Sequence, residues 1–587
     1  MIEQLIRLIQ VERVDDIPLL LAQLERMQVA ALLDEHFPTH GPWAGELTFG
    51  EVAVVWLAFM LSEGDHRLNH LETWAAQRLQ MLAVCLGKQV RALDFSDDRL
   101  AEMLGALSDL QAWREFECAL NQTLLRVYDV QAARVRLDST TTKTYAGVDE
   151  DGLFQCGHSK DHRPDLAQVK VNLSTLDPLG LPLTTTIVSG NRADDPLYVP
   201  EITHVQHALG TGGKTSIGDC KMGAEATRAY VAKSQDYSVC PLAGKQLPAE
   251  ALAKLIAPVT RREQALTPLY APASGTRKKA EKVAEGYEFA VEVEAEVEGH
   301  VVAWRERRLV VHSLQQAAQQ SQNLDKRLEQ AQAEIVQLNQ RTQGKKRLSE
   351  SELVGAAENI VTRQRVTGLV RIAVETVQTE TPVRRYGERE ARVKQECHST
   401  LKAQGDEAAV TAAKARMGWH VYATNHAAAV WTIAMVVLAY RAQYLVERGF
   451  GRLKGTALAL SPLFLRTDKR VVGLLHLLVI ALRVLTLIEF VVRRQLKAEG
   501  AELEGLYRGN PRRATARPTS ERLLEAFEGM SVTWVEVAGR VVGLLSPLSQ
   551  LQERILQLLG FSSALYVRLV HQFSNLQFLQ FLKPAPI

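Results

Sequence analysis

The chain has 587 residues, of which 46% are hydrophobic and 23% are charged, which is enough apolar material for about two to four domain-sized cores. Its net charge of +2 argues against uniform coating of nucleic acid but is compatible with local basic patches. Six cysteines without a C-x-x-C pair argue against a disulfide framework and a cysteine zinc site, and favour a reducing cytoplasm. The first residues lack the basic-then-apolar order of a signal peptide, so export is not expected.

Residues 1–130 are predicted to form a helical N-terminal domain. Apolar residues recur at steps of three and four in IPLLLAQLERMQVAALLDEHF and in DDRLAEMLGALSDLQAWREFECALNQTLLRVY. Two interpretations of this domain stay open. The residues alone predict a plain helical bundle that packs on the rest of the protein, and the alternative, a domain that reads the ends of a DNA element, depends on the family resemblance of residues 440–455.

In residues 131–245 the spacing of apolar residues changes from the helical period to the two-residue period of strands. This change predicts the first part of an α/β core. Asp138 ends a short β-run, a hairpin turns at residues 177–180, a helix begins near Asp195, and the strand in TSIGD ends at Asp219. A further helix over residues 224–234 and a strand over residues 237–240 complete the order β, β, β, α, β, α, β. This order is typical of a ribonuclease-H-like fold, and the whole chain is predicted to be α+β.

Residues 246–415 are predicted to be an inserted domain, because the stretch between Asp219 and the later motif is far longer than such a core needs. The segment YEFAVEVEAEVEG alternates apolar and acidic residues and returns after Gly299 in VVAWRERRLVVHS, whose arginines can pair with the glutamates across a hairpin. A heptad seam runs from Leu314 to Leu338. It predicts a coiled hairpin with a helix beginning near Ser349, or a seam that dimerises two chains.

Residues 416–505 are predicted to complete the core, with a strand in GWHVYATN and one helix over residues 427–454. The apolar run 471–492 contains His476, Arg483 and Glu489, which are expensive in lipid, so a buried helix is favoured over a membrane span. Residues 506–587 are predicted to be a basic loop followed by amphipathic helices. The loop is either a solvated linker or a phosphate contact, and it contains Arg508, Arg512, Arg513 and Arg517.

The stretch YRAQYLVERGFGRLKG, residues 440–455, presents a polar helical stripe where a core stripe would be apolar. Its members lie three or four residues apart and are Tyr440, Gln443, Glu447, Gly451 and Lys454. Glycine costs a helix interior about 1 kcal/mol relative to alanine. Close approach of a phosphate backbone would explain why Gly449 and Gly451 are small.

The same stretch resembles the motif Y-x2-R-x3-E-x6-K of DDE transposases of the insertion-sequence-four superfamily. Tyr440, Glu447 and Lys454 are in register, whereas Gln443 occupies the arginine position. The blocks GHSKDHRPDLAQ, SGNRADD and YATN resemble those of the branch typified by insertion sequence sixteen-thirty-four. The resemblance covers most of the chain.

The resemblance implies a ribonuclease-H-like catalytic core in which Asp138, Asp219 and Glu447 hold two Mg2+ ions, with Mn2+ a usual substitute. It implies strand cleavage and strand transfer on the element's terminal inverted repeats and target DNA, by a homodimer that is cytoplasmic and nucleoid-associated, with no membrane partner. Residues implied to contact DNA are Tyr440, Gln443, Arg448, Lys454, Lys160, His162 and Arg163. Arg448 enters as a substitute for the missing arginine.

Three alternatives accompany this hypothesis. Trp304 is a candidate for stacking on a flipped base, but a cross-strand core residue is the favoured interpretation. Because Gln443 cannot supply charge, the protein is alternatively a catalytically defective DNA-binding derivative that acts as an inhibitor or architectural protein. A membrane-associated helical protein rests only on residues 471–492.

Overall fold

The computed structural model describes residues 6–38, 45–148, 151–273, 279–340, 349–383, 392–537 and 540–571. By their internal contacts the residues form two compact units. The first comprises Met1–Cys240, Glu294–Trp304 and Ala439–Ile587, and the second comprises Pro241–Val293 and Arg305–Leu438.

The first unit opens with one strand followed by helices. The elements are β1 (Ile6–Arg13), α1 (Ile17–Arg26), α2 (Val29–His36), α3 (Phe49–Glu63), α4 (Leu68–Ala76), α5 (Leu79–Leu86), α6 (Asp97–Ala106) and α7 (Leu110–Tyr128). The predicted helical periodicity is therefore confirmed from residue 17 onward. A capping box between Thr48 and Glu51 starts α3, the helix that is buried along nearly its whole length.

A mixed sheet follows, and it has the predicted order of strands and helices. Its elements are β2 (Arg134–Lys143), β3 (Gln168–Leu176), β4 (Leu181–Ser189), α8 (Tyr198–Leu209), β5 (Thr215–Ile217), α9 (Glu225–Lys233) and β6 (Tyr237–Leu242). The strands lie in the order β4-β3-β2-β5-β6. β2, β3 and β4 are antiparallel neighbours, whereas β5 and β6 continue parallel to β2.

The second unit includes most of residues 246–415, the segment predicted to be an insertion. The elements in this part of the chain are α10 (Ala249–Thr260), β7 (Thr267–Ala271), β8 (Glu281–Val297), β9 (His300–Ser313), α11 (Leu314–Leu338), α12 (Glu350–Arg363), β10 (Val370–Val383), β11 (Arg392–Gly405), α13 (Glu407–Ala415), β12 (Trp419–Thr424) and α14 (Ile433–Arg441). The hairpin tip Glu294–Trp304 of β8 and β9, and α14 from Ala439, belong to the first unit. The predicted pairing across the first hairpin is present between Arg307 and Glu288. The second hairpin, β10 with β11, was not predicted from the sequence.

The heptad seam of α11 is covered by its own chain. Leu324, Leu328, Ala331 and Ile335 are buried in a core that α12 and β11 also line. A capping box between Ser349 and Glu352 begins α12 where the sequence predicts it. The coiled-hairpin interpretation of the seam is therefore confirmed, since the buried positions that would dimerise two chains are already occupied.

The last part of the chain returns to the first unit. Its elements are α15 (Tyr444–Lys454), α16 (Asp468–Glu499), α17 (Ser520–Glu525), β13 (Ser531–Val537), β14 (Arg540–Leu545), α18 (Gln550–Leu559) and α19 (Ala564–His571). By length and composition α16 is a candidate membrane span, yet 94% of its apolar window is buried inside the protein. Arg483 of this helix is fully buried and pairs with Glu117 at 2.9 Å. The predicted buried helix is confirmed.

Two segments expected to be helical are strands. β1 pairs with β13, and β13 pairs with β14, in a small antiparallel sheet. Glu12 of β1 is buried and accepts the backbone N–H groups of Gln80 and Met81 at 3.1 and 2.8 Å, which anchors the strand on α5. The expectation of purely helical terminal regions was wrong. The pairing of β1 with β13 joins opposite ends of the sequence, which a local pattern does not register, whereas β13 and β14 form a local hairpin that was missed.

The single helix predicted over residues 427–454 was also wrong. It is divided into α14 and α15, and at the junction the N–H groups of Ala442 and Gln443 bond to carbonyls three residues back. The carbonyl of Ala439, which Gln443 would use in a continuous helix, accepts the buried guanidinium of Arg136. A tertiary contact thus interrupts the helix.

Two carboxylates of the first unit are expected to respond to pH in opposite directions. Burial, followed by the charges of Asp15 and Glu63, raises the pKa of Asp16 from 3.8 to about 7, although Ser62 donates a hydrogen bond to it. Partial burial would also raise the pKa of Asp65, but hydrogen bonds from Arg67 and His70 outweigh burial and lower it.

We therefore predict opposite pH profiles for Asp16→Asn and Asp65→Asn. The stabilising contribution of Asp16 is complete below its ordinary pKa and is lost as pH rises through about 7. Asp16→Asn should therefore gain free energy of unfolding relative to the unaltered protein as pH rises. The contribution of Asp65 is present above its ordinary pKa, so Asp65→Asn should be the less stable protein at neutral pH, with a deficit that shrinks in acid. Urea unfolding across pH measures both, and profiles of the same sign would contradict the prediction.

Candidate active site

Asp138 and Asp219 come from neighbouring parallel strands: Asp138 lies in the middle of β2, and Asp219 lies two residues beyond the end of β5. Arg136 of β2 is paired with Ile217 of β5, and each aspartate is two residues further along its strand direction. The register places the two residues side by side, and the charge of Asp219 raises the pKa of Asp138, so the two carboxylates meet at the edge of the sheet where β5 ends. The sequence prediction that both stand at strand ends is therefore confirmed for Asp219 and wrong for Asp138, because β2 continues to Lys143 in its pairing with β3.

Asp138 is the hub of the hydrogen bonds at this edge. It accepts the N–H of Ser139 at 2.8 Å, the ammonium of Lys160 at 3.4 Å and the amide of Gln443 at 3.3 Å. Burial raises the pKa of Asp138, the charge of Asp219 raises it further, and Lys160 and the Ser139 N–H act in the opposite direction. The two carboxylates therefore repel each other, and this repulsion favours a cation at the site.

Asp219 is oriented by a tyrosine that sequence reasoning did not identify. Tyr198, in the first turn of α8, donates its hydroxyl to Asp219 Oδ1 at 2.6 Å, and the N–H of Lys221 donates to the same oxygen at 2.8 Å. Burial and then the charges of Asp219 and Asp138 raise the pKa of Tyr198 well above its ordinary value. Its hydroxyl therefore stays protonated and acts as a donor.

The loop containing SKDHRPD supplies Lys160 to the site but holds its other two basic candidates at the surface. Lys160 also donates to Ser139 Oγ at 3.0 Å and is fixed through its own N–H by Thr141. His162 is exposed with a left-handed φ of 57°. Arg163 is paired with Asp165 at 2.6 Å.

The polar helical stripe of residues 440–454, here called the motif stripe, contacts the site through Gln443 and through Lys454. Gln443 contacts Asp138, and Lys454 pairs at 2.6 Å with Asp161, the neighbour of Lys160. Glu447 donates its N–H to the carbonyl of Gln443, so it lies one helical turn, about 6 Å, further along the same face. Its side chain is exposed. Tyr440 is partly buried, and its carbonyl accepts the N–H of Gln443 at 3.1 Å.

Arg448 lies in a setting that its predicted role did not anticipate, whereas Trp304 lies in one of the two settings that the sequence indicated. Arg448 forms an ion pair at 2.7 Å with Glu489, which is buried on α16. Trp304 is buried, with the guanidinium of Arg228 5.8 Å from its ring centre. The core interpretation of Trp304 is thus the one that agrees with the structure.

A further carboxylate, Asp194, stands beside the site and was missed. It accepts the hydroxyl of Ser139 at 3.1 Å and the ammonium of Lys170 at 2.7 Å, and it lines a small cavity together with Asp138 and Tyr198. The block SGNRADD containing it was noted in the sequence, but no spacing rule connects it to Asp138 across the sheet.

The donor set suits a divalent cation held by two carboxylates. Among the residues that the structure describes, no three His, Cys, Asp or Glu side chains are grouped closely enough to share one metal ion. Asp138 and Asp219 nevertheless provide hard oxygen ligands side by side, and Mg2+ is commonly bound by one or two carboxylates, with water and substrate phosphate completing its shell. The residues present therefore fit Mg2+ in a two-carboxylate site.

Comparisons with known proteins define no family for this chain. No family model matches it, and no curated protein matches it. One similar solved structure is a piggyBac transposase synaptic complex with hairpin DNA, at 11% identity and a TM-score of 0.23, covering 49% of this chain and 60% of that one. The chain thus spans less than two thirds of the length of that protein. A likeness at this level determines neither fold nor function.

Gly451 offers a test of the space beside the motif stripe. A Cβ built on Gly451 meets no atom within 4 Å, and the same is true of Gly355 within α12. Both Gly451→Ala and Gly355→Ala should therefore raise the free energy of unfolding by up to about 1 kcal/mol through helix propensity. If the space at Gly451 admits a phosphate backbone, Gly451→Ala should in addition weaken cleavage of duplex DNA, whereas Gly355→Ala should not.

Urea unfolding and a DNA nicking assay on the same preparations measure the two effects. Full cleavage activity in Gly451→Ala would show that the open space is not used by the substrate.

Proposed function

We propose that this protein is a metal-dependent DDE transposase of a bacterial insertion sequence. It would bind the element's terminal inverted repeats and carry out strand cleavage and strand transfer by a cut-and-paste route. The observation that carries the proposal is the convergence of Asp138 and Asp219 at one sheet edge with the motif helix α15, which reaches Asp138 through Gln443. The antiparallel opening β2-β3-β4 followed by parallel β5 and β6 supports a ribonuclease-H-like core.

In this proposal the chain's own groups hold and orient the reacting phosphodiester. Bound Mg2+ or Mn2+ would activate an attacking oxygen and stabilise the leaving one. Asp138 and Asp219 would ligate the metal; Glu447 of α15 is the third carboxylate of the proposed triad but is not grouped with the two aspartates among the residues that the structure describes. Tyr198 fixes the rotamer of Asp219, and Gln443 donates to Asp138. Lys160 and Lys454 lie where cations can meet the phosphates that flank the cleaved bond.

Assembly and location follow from the chemistry proposed. Two element ends must be brought together, so a homodimer on DNA is the expected active form, acting on target DNA in the cytoplasm and at the nucleoid. His162 and Arg163, exposed on the Lys160 loop, would contact backbone phosphate. Tyr440, at the junction before α15, would help to position the cleaved strand.

A DNA-binding derivative without catalysis is the second candidate. It is favoured by Gln443 in the arginine position and by the exposed Glu447, which is not grouped with the aspartates. Such a protein would bind element ends and act as an inhibitor or architectural factor.

The two candidates are separated by a nicking assay on duplex DNA that carries the flanking inverted repeats. With Mg2+ the unaltered protein should nick the DNA, and chelation should stop it. Asp138→Asn should lower the nicking rate by several orders of magnitude, because a metal ligand is lost, while binding in a band-shift assay persists. Asp98→Asn, at an exposed carboxylate in the first turn of α6, should nick normally.

Binding without nicking by the unaltered protein would reject the enzyme and leave the binding protein. Nicking that persists in Asp138→Asn would place the catalytic centre elsewhere.

A further inference from the structure

A buried glutamate on α16 forms ion pairs with more positive charges than its single negative charge neutralises. Glu489 is 2% exposed and is paired with Arg448 at 2.7 Å, with Arg493 at 2.6 Å and with Arg452. One carboxylate thus faces three guanidinium groups. Arg452 is also paired at 2.7 Å with Glu521 on α17, so the second carboxylate of the cluster compensates only this arginine.

The surplus charge is directed towards the surface. The side chain of Arg448 is 37% exposed and that of Arg493 is 24% exposed. Arg493 also donates to the carbonyl of Pro518 at 2.9 Å, which holds the basic loop against α16. Arg517 of that loop is exposed and makes no ion pair with any other residue in the described part of the chain. Burial, and then repulsion from Arg448, Arg517 and Arg452, lowers the pKa of Arg493.

We propose that Arg448, Arg493 and Arg517, here called the arginine surface, bind the phosphates of a DNA backbone that flanks the cleaved bond. Guanidinium groups match phosphate oxygens with two parallel N–H donors, and here the groups are pre-positioned by Glu489 and the Pro518 carbonyl. The inference rests on the proposed function and adds the path of the duplex beyond the catalytic residues.

The position of Arg448, the member of the arginine surface on α15, supports a role in binding DNA that flanks the cleaved bond. Arg448 directly follows Glu447, so it lies about 100° further round the same helix, next to the face that meets Asp138. DNA entering the candidate active site would need a cation on this side of α15, since each neutralised phosphate adds affinity by releasing counterions. Arg512 and Arg513 are also exposed on the loop and extend the same charge.

Arg517→Ala is the test variant, because its side chain can be removed without breaking an ion pair among the described residues. The affinity for a short duplex of unrelated sequence is measured over a series of salt concentrations by fluorescence anisotropy. The slope of log affinity against log salt should become shallower by about 0.9, the value for one phosphate contact. Between 50 and 200 mM salt, the loss of affinity should shrink roughly threefold to fourfold.

Two matched variants test whether a change of slope is specific to the charge of Arg517. Arg508→Ala removes an arginine from the same loop that is already paired with Glu525 and Glu528, and it should leave the slope unchanged. Arg517→Lys keeps the charge and should restore the slope. Thermal unfolding of the variants should match that of the unaltered protein.

An unchanged slope in Arg517→Ala would overturn the inference, and so would an equal change in Arg508→Ala. Either result is distinguishable from failure of the proposed function. In that failure the unaltered protein itself would not nick DNA with Mg2+, whatever the slope. If both proposals hold, Arg517→Ala should still nick at low salt, whereas Asp138→Asn should bind and not nick.

Discussion

The candidate site depends on the buried guanidinium of Arg136. It is fully excluded from solvent, it donates to Asp177 at 2.8 Å, and its other end donates to the carbonyl of Ala439. A buried guanidinium that loses its partners costs several kcal/mol, so this arrangement is strongly held. Arg136 lies two residues before Asp138 and Ala439 lies four before Gln443. One side chain therefore fixes both partners of the Asp138–Gln443 contact.

The second support is α16, which holds α15 through ion pairs. Glu489 of α16 binds arginines of α15, and Arg483 binds Glu117 of α7 and the carbonyl of Leu183 on β4. The long helix with an apolar window of membrane-span length thus carries the charged groups that fix the motif helix and the sheet. These charges would be costly in lipid, whereas inside the first unit each has a hydrogen-bond partner.

The predictable part of the fold is the part encoded by local periodicity. The order of β2 to β6, the buried α16 and the coiled hairpin of α11 and α12 all follow from repeats within one segment. The strand β1 could not be predicted, because its partner β13 is about a whole chain away, whereas the hairpin of β13 and β14 is local and was missed. The break before α15 could not be predicted either, since its cause is Arg136 on a distant strand.

The same division applies to the site. Asp138 and Asp219 were singled out through the family resemblance, one within a strand pattern and one after it, and Gln443, Glu447 and Lys454 through their shared helical spacing and the same resemblance. Tyr198 and Asp194 were missed, because their connection to the aspartates is a contact between α8, its preceding turn and the sheet. Sequence periodicity gives the face on which a residue lies but not the neighbour that this face meets.

Gln443 stands where the motif that this stretch resembles has an arginine, and this difference affects the carboxylate of Asp138. An arginine at this position, within reach of Asp138, would add a permanent charge to a carboxylate that already faces Lys160. Such a guanidinium would compete with a divalent cation for the same oxygens. The amide of Gln443 instead donates one hydrogen bond at 3.3 Å and orients Asp138 without neutralising it. The glutamine therefore leaves the aspartate pair able to attract a cation. The positive charge that the motif loses at position 443 is present five residues further along the chain, on Arg448 of α15.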